Sequence, residues 1–312
     1  MSRRALAVVG LTVVLAGCSP SGTPAATGPT PAPDALRVIA TTTVLADLVA
    51  QVGSPNVIVS SIVPKGGVVE TFDPSPQDVA SISEADLIVM NGLGLDEWLE
   101  PVARTAAPDV PIVRLAEDLP GVAYVTDAET NGSNPHLWLD IANADRYVLR
   151  LTETVAQAHP ARAAEIRADG AAYSARLQDL DRWVREQVAT IPPANRKLVS
   201  FHEAFPYFAQ AYGLDIVGSV VGVPGQDPSA GEVAALVDAI RASGARAVFT
   251  EAGFNPELAE AIAADAGVVV ESDLYNDSLG DPPVDSYEGL MLWNTEKVVS
   301  TLGGHVLGSP QP

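Results

Sequence analysis

Two of the four histidines in this 312-residue chain stand where chemistry is expected. His136 lies in Asn134-Pro135-His136-Leu137-Trp138. His202 follows Lys197-Leu198-Val199-Ser200-Phe201, a short apolar run that reads as a buried strand. Open α/β sheets place their binding crevices at the carboxyl ends of such strands. Carboxylates fall at similar places: Glu70 and Asp73 in a loop after "NVIVSSIVP", and Asp273, Asp277 and Asp281 after "VVVES". Neutral imidazoles and carboxylates facing one cleft are a donor set for Mn(II), Fe(II) or Zn(II). Spacing alone does not select which of them meet.

Other chemistries fail on the page. His202-Glu203 begins like the metalloprotease motif H-E-x-x-H, but Pro206 stands where the second histidine belongs. Asn91 to Glu97, "NGLGLDE", suggests a dinucleotide loop, yet Asp96 and Glu97 occupy the place of the last glycine and the phosphate. No G-x-S-x-G occurs, and the only cysteine, Cys18, lies near the N-terminus. No enzyme activity is expected.

The elements that must carry these residues alternate strand-like and helical runs. "LRVIATT", "NVIVSSIVP", "DLIVMNG" and "PIVRLA" read as four strands of a first sheet; "KLVSF", "IVGSVV", "AVFTEAG" and "VVVES" read as four of a second. Helical stretches separate them, which indicates parallel sheets covered on both faces. Glu203 to Ala211 reads as the start of a helix. Between the halves, residues 143–188 are helical in pattern, interrupted at His159-Pro160, and the part after the interruption suggests one helix of about 30 residues. The expected fold is α/β: two lobes, each with a parallel four-stranded sheet, joined by a long rigid helix. The boundaries are residues 36–160 for the first lobe, 161–191 for the linking helix and 192–308 for the second lobe.

Composition limits the setting. A net charge of -21 and a pI near 4.3 argue against nucleic acid, which demands a basic face. Residues 1–17 carry a basic start and a short apolar run ending in Leu15-Ala16-Gly17-Cys18, similar to a bacterial lipobox. Cleavage before Cys18 and lipidation there would tether an exported protein, and loss of Arg3 and Arg4 takes the charge from -21 to -23. Residues 18–35, rich in Ser, Thr, Pro, Gly and Ala, lack the apolar content to fold and read as a flexible tether.

Five stretches in the same order carry a resemblance: "ETFDPSPQDVASISEADLIVMNGLGLDEWLE", "NPHLWLD", "FHEAFPYFAQAYG", "VFTEAGFNPE" and "LYNDSLG...SYEGLMLWN". They resemble the substrate-binding lipoproteins of zinc and manganese ABC importers, the cluster A-I metal receptors. The resemblance implies one buried metal in the cleft between the lobes. It places the second ligand on His136, the third on His202, and the fourth on Asp277 rather than Asp273 or Asp281. The first position, usually His, is Glu70 here, with Asp73 or water as the alternative. Glu203 and Glu251 are candidates to orient the imidazoles, against a plain surface role.

Two carboxylates with two neutral imidazoles balance a divalent ion, which suits a buried site. The resemblance favours Mn(II) or Fe(II) over Zn(II), since zinc-type members lean towards three histidines and a His-rich loop that "YVTDAETNGSN" lacks. It implies a monomeric receptor on the outer face of the bacterial cytoplasmic membrane, periplasmic where two membranes are present, which delivers its ion to an ABC importer permease. Ligation needs neutral imidazoles, so affinity is expected to fall as pH drops through about 6.5. The rival reading is a surface adhesin whose metal only stiffens the fold; a metal-dependent hydrolase is a weaker third.

Overall fold

A computed structural model describes residues 30–127 and 131–308. The signal segment 1–17, Cys18 and the tether up to residue 29 lie outside the described residues. Ala32 donates its amide to the Pro55 carbonyl (2.9 Å), so the folded body begins slightly before the expected Leu36.

The chain opens with β1 (Leu36–Ala40), α1 (Thr43–Gly53) and β2 (Val57–Ser61). Then come α2 (Pro76–Ser83), β3 (Leu87–Met90), α3 (Leu99–Ala106) and β4 (Ile112–Arg114). The four strands form one parallel sheet in the order β2-β1-β3-β4. Helix starts follow local chemistry: Thr42 accepts the Leu45 amide at α1, and Ser75 with Asp78 closes a capping box at α2.

Two helices then cross the molecule, α4 (Ile141–Ala158) and α5 (Ala163–Ala189). At 27 residues, α5 is about 40 Å long. Gly170 lies where a Cβ would meet Thr152 Oγ1 at 2.1 Å, so glycine in mid-helix lets α4 and α5 pack closely. The second half contributes β5 (Lys197–Ser200), α6 (Pro206–Tyr212), β6 (Asp215–Ser219), α7 (Ala230–Ser243), β7 (Ala247–Glu251), α8 (Glu257–Ala266), β8 (Val269–Leu274) and α9 (Tyr287–Thr301). Its strands are parallel and hydrogen-bond as two pairs, β5 with β6 and β7 with β8, while β5 packs beside β7. Registers slip between Leu198 and Val199 and between Phe249 and Glu251, irregularities that turn side chains at the strand ends.

The largest apolar core contains Val38 and Leu48 from the first half, Tyr147 and Leu177 from the crossing helices, and Leu198, Phe249 and Met291 from the second. Both halves therefore share one continuous core. Prising them apart would expose that surface at about 25 cal/mol per Å².

Candidate metal centre

Four segments converge at the carboxyl ends of the strands. Glu70 sits in a 3-10 turn, Val69–Thr71, after β2. His136 immediately precedes another, Leu137–Leu139, whose Trp138 is buried. His202 lies just beyond β5, and Asp277 in the loop after β8. Each of the four offers one ligand atom, and these atoms all lie within 4.8 Å of one another. His136 Nε2 is 3.3 Å from His202 Nε2 and 3.5 Å from Asp277 Oδ1, and His202 Nε2 is 3.9 Å from Glu70 Oε1. Donors bonded at 2.1 Å around a tetrahedral ion stand roughly 3.4 Å apart. The spacing therefore fits a cation.

Hydrogen bonds decide which nitrogens face inward. His136 Nδ1 is 3.0 Å from Asn134 Oδ1, which also accepts the His136 amide, while Asn134 Nδ2 donates to the Glu203 carbonyl. His202 Nδ1 is 2.6 Å from Glu251 Oε2. An amide oxygen and a carboxylate only accept, so both Nδ1 atoms are assigned the hydrogen and both Nε2 lone pairs face the centre. Glu70 Oε2 and Asp277 Oδ1 are buried with no hydrogen-bond partner. Two buried carboxylate oxygens without a hydrogen-bond partner, beside two imidazoles whose Nε2 atoms are 3.3 Å apart, leave acceptor capacity that a cation would satisfy.

Electrostatics agree. Burial, reinforced by His202, holds His136 well below the usual imidazole value, so it is neutral. Burial raises Glu70, His202 opposing it, and raises Asp277 further, with Glu70 adding to it. His202 behaves differently: burial pulls it down, but Glu251, aided by Asp277 and Glu70, pushes it up to about 9. A His202 held protonated by Glu251 would carry its second proton on Nε2, 3.3 Å from His136 Nε2, and a cation would have to displace it. This moves the expected pH response upward from 6.5. Between pH 7 and 9, cation affinity should rise by about tenfold per unit through this group. The metal-free fold responds oppositely: the stability drawn from protonated His202 is complete below 6.5 and is lost as pH rises through about 9. Competition titrations at pH 7, 8 and 9 check the first; a flat profile would refute it.

The sequence candidates separate cleanly. Asp73 and Asp273 are exposed and Asp281 points to solvent, so none joins the cluster. Glu251 contacts His202 twice, accepting its amide at 3.1 Å as well as holding Nδ1. Glu203 lines the cavity beside His202, and its carbonyl anchors Asn134. The helix expected from Glu203 begins only at Pro206, because a proline favours the first helical position and leaves 201–205 as a turn. That turn is what presents His202.

Asn134 and Asn276 were not singled out by sequence reasoning, although each lies within two residues of a candidate ligand. The "NGLGLDE" loop is also informative: Asp96 accepts the Asn91 and Gly92 amides at 2.7 and 2.8 Å, so these amides are already engaged within the chain. Burial nevertheless raises Asp96 to about 6. Asn91 in turn donates to the Pro135 carbonyl and accepts Tyr147 Oη–H, fixing the backbone ahead of His136.

The Asp277 loop is fastened to the first half. Thr43 Oγ1 accepts the Leu279 amide at 2.8 Å, and the Gly66 amide donates to Ser278 Oγ at 2.7 Å. Lys65 donates to the Gly280 carbonyl at 2.6 Å. A cavity of about 360 Å³, lined by Leu93 to Leu95, Gly132, Ser133 and Gly222 to Pro224, opens onto Glu70, His136 and His202. Among the described residues no helix is long and apolar enough to cross a membrane.

The chain belongs to the family of the periplasmic zinc-uptake complex component A, whose sequence profile matches residues 38–301. It is 29% identical over 294 residues to the manganese-binding lipoprotein MntA of Halalkalibacterium halodurans, covering 94% of this chain and 95% of the relative. The iron-binding protein YfeA of Yersinia pestis is 26% identical, with 86% of each chain covered. Among solved structures, the periplasmic zinc binding protein TroA of Treponema pallidum superposes with a TM-score of 0.80 at 25% identity, covering 86% of this chain and 99% of TroA.

Proposed function

With that membership as premise, we propose that the protein is the receptor of a metal ABC importer: it captures one divalent transition metal outside the membrane and hands it to the permease. The observation that carries the reading is the gathering of one ligand atom each from Glu70, His136, His202 and Asp277 within 4.8 Å of one another, three of the four residues buried. Glu70, His136, His202 and Asp277 would hold the ion, with Glu251 and Asn134 fixing the two imidazoles. The export reading of residues 1–17, anchorage through Cys18 and two lobes at 36–160 and 192–308 belong to the same proposal, as do a monomeric state and the absence of catalysis.

Mn(II) or Fe(II) is the cargo this donor set suits best. Hard carboxylate oxygens make up half of it, and hard ions prefer oxygen. Relatives named for manganese, iron and zinc all accompany this fold, so the choice rests on Glu70. The test is to strip the protein with chelator and titrate Mn(II), Fe(II) and Zn(II) anaerobically. Wild type should bind all three, and Glu70→His should shift the preference towards zinc by about tenfold or more, the effect of exchanging an oxygen for a borderline nitrogen donor. An unchanged zinc-to-manganese ratio would remove Glu70 from the ligand set.

A further inference from the structure

We infer that Asn276, which is not a ligand in this reading, is a positioning residue that locks the Asp277 donor to the His202–Glu251 pair and so governs how fast the cation leaves. The inference rests on the receptor reading and concerns the shell around that site.

Asn276 is 5% exposed, and both ends of its side-chain amide and its carbonyl are engaged. Its Nδ2 donates to Glu251 Oε2 at 2.8 Å, the same oxygen that holds His202 Nδ1 at 2.6 Å. Its Oδ1 accepts the Asp277 amide at 2.6 Å. Its carbonyl accepts Trp138 Nε1–H at 3.0 Å, from the turn that follows His136. One residue thus touches Asp277, the turn after His136, and Glu251, and its Nδ2 also lies 3.4 Å from His202 Nε2. An amide donates only through nitrogen and accepts only through oxygen, so this arrangement has one orientation. Swinging the Asp277 loop away from the ion breaks the bonds to Glu251 and Trp138 together. While they hold, Asp277 Oδ1 stays aimed at the centre, 3.5 Å from His136 Nε2.

The alternatives at this position are chemically distinct. Asn276→Ala removes both side-chain bonds, leaving the Asp277 amide without its partner. Asn276→Asp keeps an acceptor for that amide but sets a carboxylate oxygen against Glu251 Oε2, where attraction becomes repulsion. Partners that orient metal ligands are typically worth about 10–100-fold in metal affinity.

The test compares wild type, Asn276→Ala and Asn276→Asp, loaded with Mn(II) and separately with Co(II), in a chase with excess chelator. Release from Asn276→Ala should be about 10–100-fold faster, and from Asn276→Asp faster still. The Co(II) visible bands should shift in both, because the Asp277 oxygen and the His202 ring change their angle to the ion. A merely structural asparagine would alter the melting temperature of the stripped protein without moving those bands. If Asn276→Ala does not fold, Asn276→Ser, which keeps a hydroxyl, takes its place. Wild-type release rates and Co(II) spectra in folded variants would overturn the inference and leave the receptor reading standing. A wild type that takes up no cation would overturn both.

Discussion

Replacing His202 by alanine is expected to abolish useful metal binding while leaving a folded but weakened protein. His202 supplies a nitrogen at the centre and also neutralises Glu251, whose side chain is completely buried. Residues that only orient a ligand are worth about 10–100-fold in affinity, so losing the ligand itself should cost more than about 100-fold. Stability should fall by about 3–5 kcal/mol as Glu251 is left buried without its partner. The two losses can be separated. Adding Glu251→Gln to His202→Ala removes the stranded charge, so the melting temperature should recover and metal binding should not. His305→Ala, at an exposed site away from the cluster, serves as the control. Wild-type affinity in His202→Ala, measured by competition titration, would refute the assignment of this residue.

The second large effect is on heat stability. Chelator treatment should leave the body folded, since its core runs through both halves without help from an ion. Loading should then stabilise it strongly. An ion at a thousand times its dissociation constant adds about 4 kcal/mol. For a body of this size that raises the melting temperature by on the order of 10 °C. Differential scanning calorimetry of stripped and loaded protein measures the difference. Unfolding on chelation would point instead to a structural metal, as in the adhesin reading. No shift with Mn(II), Fe(II) or Zn(II) would remove the metal site altogether.

Much of the architecture was legible because the strands are short apolar runs and the helices between them have clear stops. "LRVIATT" became β1 and "DLIVMNG" became β3, and α7 and α8 end at Gly244 and Gly267, as a helix period and a left-handed cap foretell. The long helix appeared within a few residues of its expected span because its apolar positions recur with helical period. Helix α3 was not anticipated, since "LEPVARTA" contains a proline and few apolar residues. The helix expected from Glu203 was placed too early, because Pro206 at its first turn outweighed the periodicity. The second half was expected to hold four strands and does, though its ladders are two pairs.

The five motif stretches and their resemblance to metal receptors were enough to nominate Glu70, His136, His202 and Asp277, and local residue identity argued against nucleotide and protease motifs. Both depend on local identity, which a linear chain displays. The folded chain alone decided that Glu70 rather than Asp73 joins the cluster, that Glu251 lies against His202 and pushes its pKa up, and that Asn134 and Asn276 hydrogen-bond to His136 and Glu251. Each of these depends on a distance of about 3 Å between residues remote in sequence or on turns that set a side chain's direction. Such distances arise only when the parallel strands pack side by side and bring their carboxyl ends to one point.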